Sequence, residues 1–258
     1  MNMIRNNIIS FHIILLLLPI PSLAATYAPI LEQIKPGSIT IIGETHKKAE
    51  SVDMFQSLAL DVIRHYQCVV IGLEISSDQQ PILDAAMQGR ASVNEIALWP
   101  AVDHLAYRHM LEHFAELKRQ DQCIKVIAID SGVDNVVDRD LWMALSLAEQ
   151  VEDTPVLVLL GGLHTLRRVD WNIAAGRPSV AEILTEHDFI VNSYPQRWIP
   201  DNCVNGDSRL GSFVSAKSHR ALPILNDSMM SLINAKPHKL ASNAIDGFVV
   251  WECARKGH

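Results

Sequence analysis

The chain lacks any cluster of lysine and arginine. It carries 22 basic against 29 acidic residues, a formal charge of −7, whereas binding to nucleic acid requires a concentrated basic face. No basic amphipathic helix stands out for a membrane surface. The longest mostly apolar stretch, residues 11–20, is short for a bilayer span, which needs about 20 apolar residues. Cys-x-x-Cys-His is absent, which excludes covalently attached haem, and so is the His-Glu-x-x-His helix of zinc proteases. Without an internal repeat, a low-complexity tract or a linker, residues 25–258 read as a single domain large enough for a substantial core.

The N-terminus does carry a signal. Arg5 precedes the apolar stretch 11–20, and Ser22-Leu23-Ala24 follows as a small-residue cleavage pattern. That is the plan of a secretory signal peptide over residues 1–24, and it implies a periplasmic or secreted protein with no stable membrane insertion after cleavage. The four cysteines would then sit in an oxidising compartment. Cys68 and Cys123 each open an apolar run, 69–73 and 124–129. If those runs are neighbouring parallel strands, the two sulfurs lie at equivalent depth. A Cys68–Cys123 bridge is the expectation, leaving Cys203 with Cys253, and small buried thiols are the alternative.

Strand and helix patterns alternate. Apolar runs at 38–43, 68–74, 124–129, 156–160 and 189–192 read as buried strands, and 247–251 as a last one. Apolar positions recurring at three and four mark helices over 51–66, 102–119 and 136–150, with shorter ones at 80–88, 92–98 and 179–184. Ser92 and Glu95 have the spacing of a capping box. Near-continuous apolar strands suit a sheet covered on both faces. The expected fold is therefore α/β, a mainly parallel sheet flanked by helices, with an extended loop-rich region over 195–244.

Three polar residues fall just past strand ends: His46 in Gly43-Glu44-Thr45-His46, Glu74 after the run 69–73, and His164 in Gly161-Gly162-Leu163-His164. Ligands of open parallel sheets bind at the carboxyl ends of the strands. Two imidazoles and a carboxylate there would suit a divalent metal with open positions, with His46, Glu74 and His164 as ligands. Without metal, His46 is a candidate general base acting on an ester or amide, with Glu74 and His164 positioning the water, and Glu44 or Glu74 could orient a histidine or act as a general acid/base. Arg139 and Arg108 could each hold an anionic group, or serve only in ion pairs. His109 and His113 share a helix face and could also bind metal, or simply face solvent.

These motifs carry a resemblance. Gly43-Glu44-Thr45-His46, Val70-Ile71-Gly72-Leu73-Glu74, Gln80-Pro81-Ile82-Leu83-Asp84 with Gly89, Trp99, Tyr107-Arg108, the run 125–129, Arg139-Asp140 with Met143-Ala144, and Gly161-Gly162-Leu163-His164 occur in order. Over residues 38–170 the chain resembles the ChaN-type haem-binding family, of the broader superfamily that includes the Tiki and TraB proteins and the erythromycin esterases. The resemblance implies an α/β fold with one polar pocket around His46, Glu74 and His164. It implies a small-molecule ligand or a peptide or ester substrate, because the superfamily holds haem binders, proposed metal-dependent peptidases and metal-independent esterases. Haem or a divalent metal is the implied cofactor, with Tyr107 and Arg108 as candidate cofactor contacts and Tyr107, Tyr194 or one of several histidines as the axial donor. The chain departs from the pattern at Lys47-Lys48-Ala49-Glu50, where the family often continues with an acidic residue and further histidines, and it has no lipidation cysteine.

Overall fold

The computed structural model describes residues 23–132, 137–200 and 209–253. The leader expected over 1–24 lies, up to residue 22, outside the described residues, as does Cys203. Seven strands form one sheet: β1 (Ser38–Glu44), β2 (Cys68–Ser76), β3 (Cys123–Asp130), β4 (Val156–Gly161), β5 (Ile190–Ile199), β6 (Arg209–Ser215) and β7 (Gly247–Cys253). Their spatial order is β3-β2-β4-β1-β5-β7-β6, parallel except for β6, which runs antiparallel to β7. The helices are α1 (Leu23–Leu31), α2 (Ala49–Tyr66), α3 (Gln80–Met87), α4 (Leu105–Arg119), α5 (Arg139–Ala148), α6 (Val180–Glu186) and α7 (Ala221–Leu225). No described helix is long and apolar enough to cross a membrane.

Side-chain alternation distributes the apolar strands over two cores. Ile42, Val69, Ile71, Leu73, Leu157 and Leu159 point into one core with α2 and α4. Ile39, Ile41, Val70, Val156, Val158 and Leu160 point into the other, with α5 and α6. This is why the strand sequences read as continuous rather than alternating. A third cluster joins Phe248 and Val250 of β7 to Leu225, Met229 and Met230 beneath α7.

At the amino ends of the strands, Cys68 pairs in register with Cys123, and the two form a disulfide with their Cα atoms 4.6 Å apart. Cys253 is also disulfide-bonded. The outer edge of β3 is partly covered by the Gln80 side chain, which donates to the Val126 carbonyl at 3.2 Å and accepts from the Ala128 N–H at 2.7 Å. Such covering blunts an edge that would otherwise invite strand addition. The capping box at Ser92 and Glu95 is formed, but it opens a single 3-10 turn, Val93–Glu95, rather than a longer helix.

The region 195–244 is more ordered than its composition implies. β5 runs on to Ile199 because Pro195 sits where the strand changes partner, pairing with Gly43 of β1 at that point and with β7 from Gln196 onward. A proline is tolerated there because the ladder is being handed over. β6 and α7 also fall in this region, and α7 continues directly into a π-helical turn, Asn226–Met230. The helix α1 had no sequence signal of its own; Ile30 is buried in the first core and the Tyr27 hydroxyl donates to Asp61 at 2.8 Å.

Candidate functional site

β2, β4 and β1 are adjacent in the sheet; β1 ends at Glu44 and β4 at Gly161, whereas β2 runs on to Ser76, so Glu74 lies inside its last pleat rather than past its end. Glu44 closes β1, and the chain then turns through Lys47, whose φ of 63° lies in the left-handed region. That reversal is uncommon for a residue with a side chain. It sets His46 on the corner between β1 and α2. Gly43 allows the close fit there: a Cβ on it would stand 2.7 Å from Thr165 Cγ2 and 2.8 Å from Gly162 Cα.

His46 Nδ1 lies 2.8 Å from Glu44 Oε1, with the imidazole 40% exposed and the carboxylate 1%. This hydrogen bond raises the His46 pKa above the ordinary value of 6.5, partly opposed by burial. Glu74 is buried and held twice: the Gly161 N–H donates to its Oε2 at 2.6 Å, and Arg139 donates to its Oε1. Arg139, the first residue of α5, also grips Asp130 at the end of β3 through two bonds of 2.7 Å, so its own pKa is driven up, chiefly by Asp130. His164, on the 3-10 turn after β4, has Nδ1 2.8 Å from Asp140 Oδ1.

Gly161 is where these groups converge. A Cβ added to it would meet His164 Cδ2 at 3.4 Å, Glu74 Oε2 at 3.5 Å and His46 Cε1 at 3.5 Å. The three residues singled out at strand ends thus surround one backbone position. A cavity of about 700 Å³ opens over His46, Glu74 and Arg139, walled by Trp99, Pro100 and Val102. His164 faces a neighbouring cavity of about 330 Å³, and Arg139 lines both.

The other expected site residues lie elsewhere. Tyr107 is completely buried under the carboxylates; burial first, then the charges of Glu44, Glu74 and Asp130, push its pKa well above the usual value. Neither its hydroxyl nor Glu44 Oε2 has a hydrogen-bond partner. Arg108 is tied to Asp103 at 2.7 and 2.9 Å and to the Val93 carbonyl at 3.1 Å. His113 is hydrogen-bonded to Gln56 at 2.6 Å.

Among the described residues, one group has ligand atoms all within 4.8 Å of one another: Glu44, His46 and Glu74. It contains Glu44 where the sequence pattern had pointed to His164. Two residues of the site were not singled out in the sequence, Asp130 and Asp140. Asp130 has the same signal as Glu74, a carboxylate closing an apolar strand. Asp140 follows Arg139 at the helix start, and only the fold brings it against His164.

The site therefore places buried carboxylates and two imidazoles at the carboxyl edge of an α/β sheet. No family model matches the chain, and no curated protein matches it significantly. Among solved structures, the chain is similar to a mutant of the erythromycin esterase EreC in its open conformation. That similarity has 12% identity and a TM-score of 0.55, and covers 89% of this chain and 93% of that one. This likeness shows a shared fold. A weaker likeness, TM-score 0.45 at 15% identity, is to ChaN of Campylobacter jejuni, described with cofacial haem, over 66% of this chain and 84% of that one.

Proposed function

We propose that the protein is a hydrolase in which His46 is the general base. The observation that carries this reading is the Glu44–His46 pair: a half-exposed imidazole fixed through Nδ1 by a buried carboxylate, at the mouth of a cavity of about 700 Å³. Such a pair leaves Nε2 to take a proton from water. The hydroxide adds to an ester carbonyl, and Glu44 stabilises the imidazolium that forms. The C–O bond then breaks, and the leaving oxygen takes the Nε2 proton of a His164 imidazolium, whose Nδ1–H Asp140 holds on the other side of Gly161. Solvent then takes the proton from His46 and returns one to His164. Glu74 and Arg139 fix the floor between the two imidazoles.

A second reading has its own observation. Glu44, His46 and Glu74 could hold a divalent cation, and the unpartnered Glu44 Oε2 is a donor such an ion would satisfy. A cation there would supply Lewis acidity to the same reaction. Haem requires an axial donor beside an apolar slot. Tyr107 is sealed from the cavity, so His46 is the donor that the cavity presents.

Export belongs to the same proposal. The Cys68–Cys123 disulfide supports an oxidising compartment such as the periplasm, and the mass of the mature chain tests cleavage after Ala24. For the activity, the purified protein is assayed on activated esters and peptides with and without a chelator and added metal, and titrated with hemin. Ester hydrolysis that survives the chelator and is lost in His46→Ala supports the metal-free reading. Loss with the chelator supports the cation. A Soret shift that disappears in His46→Ala, without hydrolysis, would replace both by haem binding.

A further inference from the structure

Two cavities meet at Arg139, and together they describe the shape of a substrate. The larger holds His46 and Glu74; the smaller, about 330 Å³, holds His164 and Asp140. The larger is walled by Trp99, Pro100, Ala101 and Val102. Leu163, Val169, Trp171 and Ile173 wall the smaller one. Leu163 and Ile173 leave 41% and 50% of their surface exposed at its lip, which is a cost that a covering apolar group would relieve.

The charges of the smaller cavity are already paired. Asp138 binds Arg177, and Asp140 binds His164. Arg139, the shared wall, is occupied by Glu74 and Asp130. A charged arm entering this cavity would find no free counter-charge and would pay its desolvation unaided. Trp171 is fixed as the back wall: its Nε1 donates to the Arg177 carbonyl at 3.0 Å, and its ring lies flush on Gly176, where a Cβ would meet Trp171 Cγ at 2.0 Å.

We infer that the substrate is a neutral ester with an apolar group on each side of the scissile bond, the acyl arm lying in the His46 cavity and the alcohol arm against Trp171. The assignment of arms follows from His164, which stands on the side of the smaller cavity and is placed to protonate the leaving oxygen. Trp99 and Trp171 are then specificity-determining residues for the two arms. The inference rests on the hydrolase reading, and the experiment separates the two.

The test uses the full mature protein and two ester series. One series keeps acetate and lengthens the alcohol from ethanol to hexanol; the other keeps ethanol and lengthens the acid from acetate to hexanoate. In the wild type, kcat/KM rises along both series by about two- to fourfold per methylene until the cavity is filled. Trp171→Ala and Gly176→Ala alter the alcohol series and leave the acyl series as it was; Trp99→Ala does the reverse. Gly176→Ala acts by displacing the indole, and Trp171→Ala removes it, so the pair stands even if one variant folds poorly. Flat series in the wild type, or a Trp171→Ala effect equal on both, would overturn the two-arm assignment. Absence of any hydrolysis dependent on His46 overturns the hydrolase reading itself, and the arm assignment with it.

Discussion

The two ends of the sheet are built on opposite principles. At the amino end, Cys68 and Cys123 are joined covalently in register, and Ser38 both accepts from the Lys35 N–H and donates to its carbonyl. At the carboxyl end, Glu44, Glu74 and Asp130 are all buried, the last two bonded to Arg139 and Glu44 to His46, and both Glu44 Oε2 and the Tyr107 hydroxyl lack partners. Burying three carboxylates beside one guanidinium and one imidazole costs stability. A fold that tolerates this at one end and staples the other separates the work of binding and chemistry from the work of holding the sheet together.

The comparison predicts that substitutions at the carboxyl end change the rate and those at the amino end change the stability. The largest effect falls on His46. His46→Ala should lower ester hydrolysis by about a hundred- to ten-thousand-fold, the range for losing a general base. Its thermal midpoint should fall only modestly, because the ring is 40% exposed, the loss coming from the buried Glu44 carboxylate left without its partner. His164→Ala should cost less in rate, since it acts only on the leaving group. Equal losses in the two variants would break the division of roles between the imidazoles.

How much of this was legible beforehand follows the same division. Apolar runs bounded by turn residues marked β1 to β5 and β7, the parallel strands of the sheet, and missed β6. The Cys68–Cys123 register followed from the position of each cysteine at the start of its run. Glu74 was found because it follows such a run directly, and His46 and His164 because each ends a Gly-x-x-His motif that does. Asp140 was not, because its partner His164 is 24 positions away in sequence and only the packing of α5 beside β4 joins them. The smaller cavity was illegible for a similar reason: Trp171, Gly176 and Ile233 belong to loops without periodicity. Tyr107 shows the converse limit, since a family-like motif does not tell a lining residue from one buried below it.

At the amino end, replacing Cys68 and Cys123 by alanine should destabilise the protein by about 2–4 kcal/mol, measured by denaturant unfolding, because the bridge closes a loop spanning 55 positions. Hydrolysis per folded molecule should be unchanged. A lost rate in this variant would mean that the two ends are coupled through β2 and β3.

Arg139→Ala is the intermediate case, because Arg139 serves both functions. It leaves Glu74 and Asp130 buried without their cation. Breaking a fully buried pair costs about 3–5 kcal/mol. The Arg139 side chain is 44% exposed, so solvent screening reduces the expected loss to about 2 kcal/mol. The rate should fall as well, with the loss of stability read from denaturant unfolding.

The smallest effect is a displacement along the pH axis. The hydrogen bond to Glu44 raises the His46 pKa above 6.5 in the folded protein. As a base His46 must be neutral, so the ascending limb of kcat/KM against pH should have its midpoint above 6.5. Glu44→Gln keeps the size of the side chain and removes its charge, so the midpoint should move down toward the ordinary histidine value. Stability carries the matching sign. A pKa raised on folding stabilises fully below the unfolded value and fades as pH rises through the folded one. The difference in thermal midpoint between wild type and Glu44→Gln that comes from this pairing should therefore shrink as pH increases across that window. A rate profile that is the same in both proteins would separate His46 from the proton transfer and leave Glu44 as a purely structural end to β1.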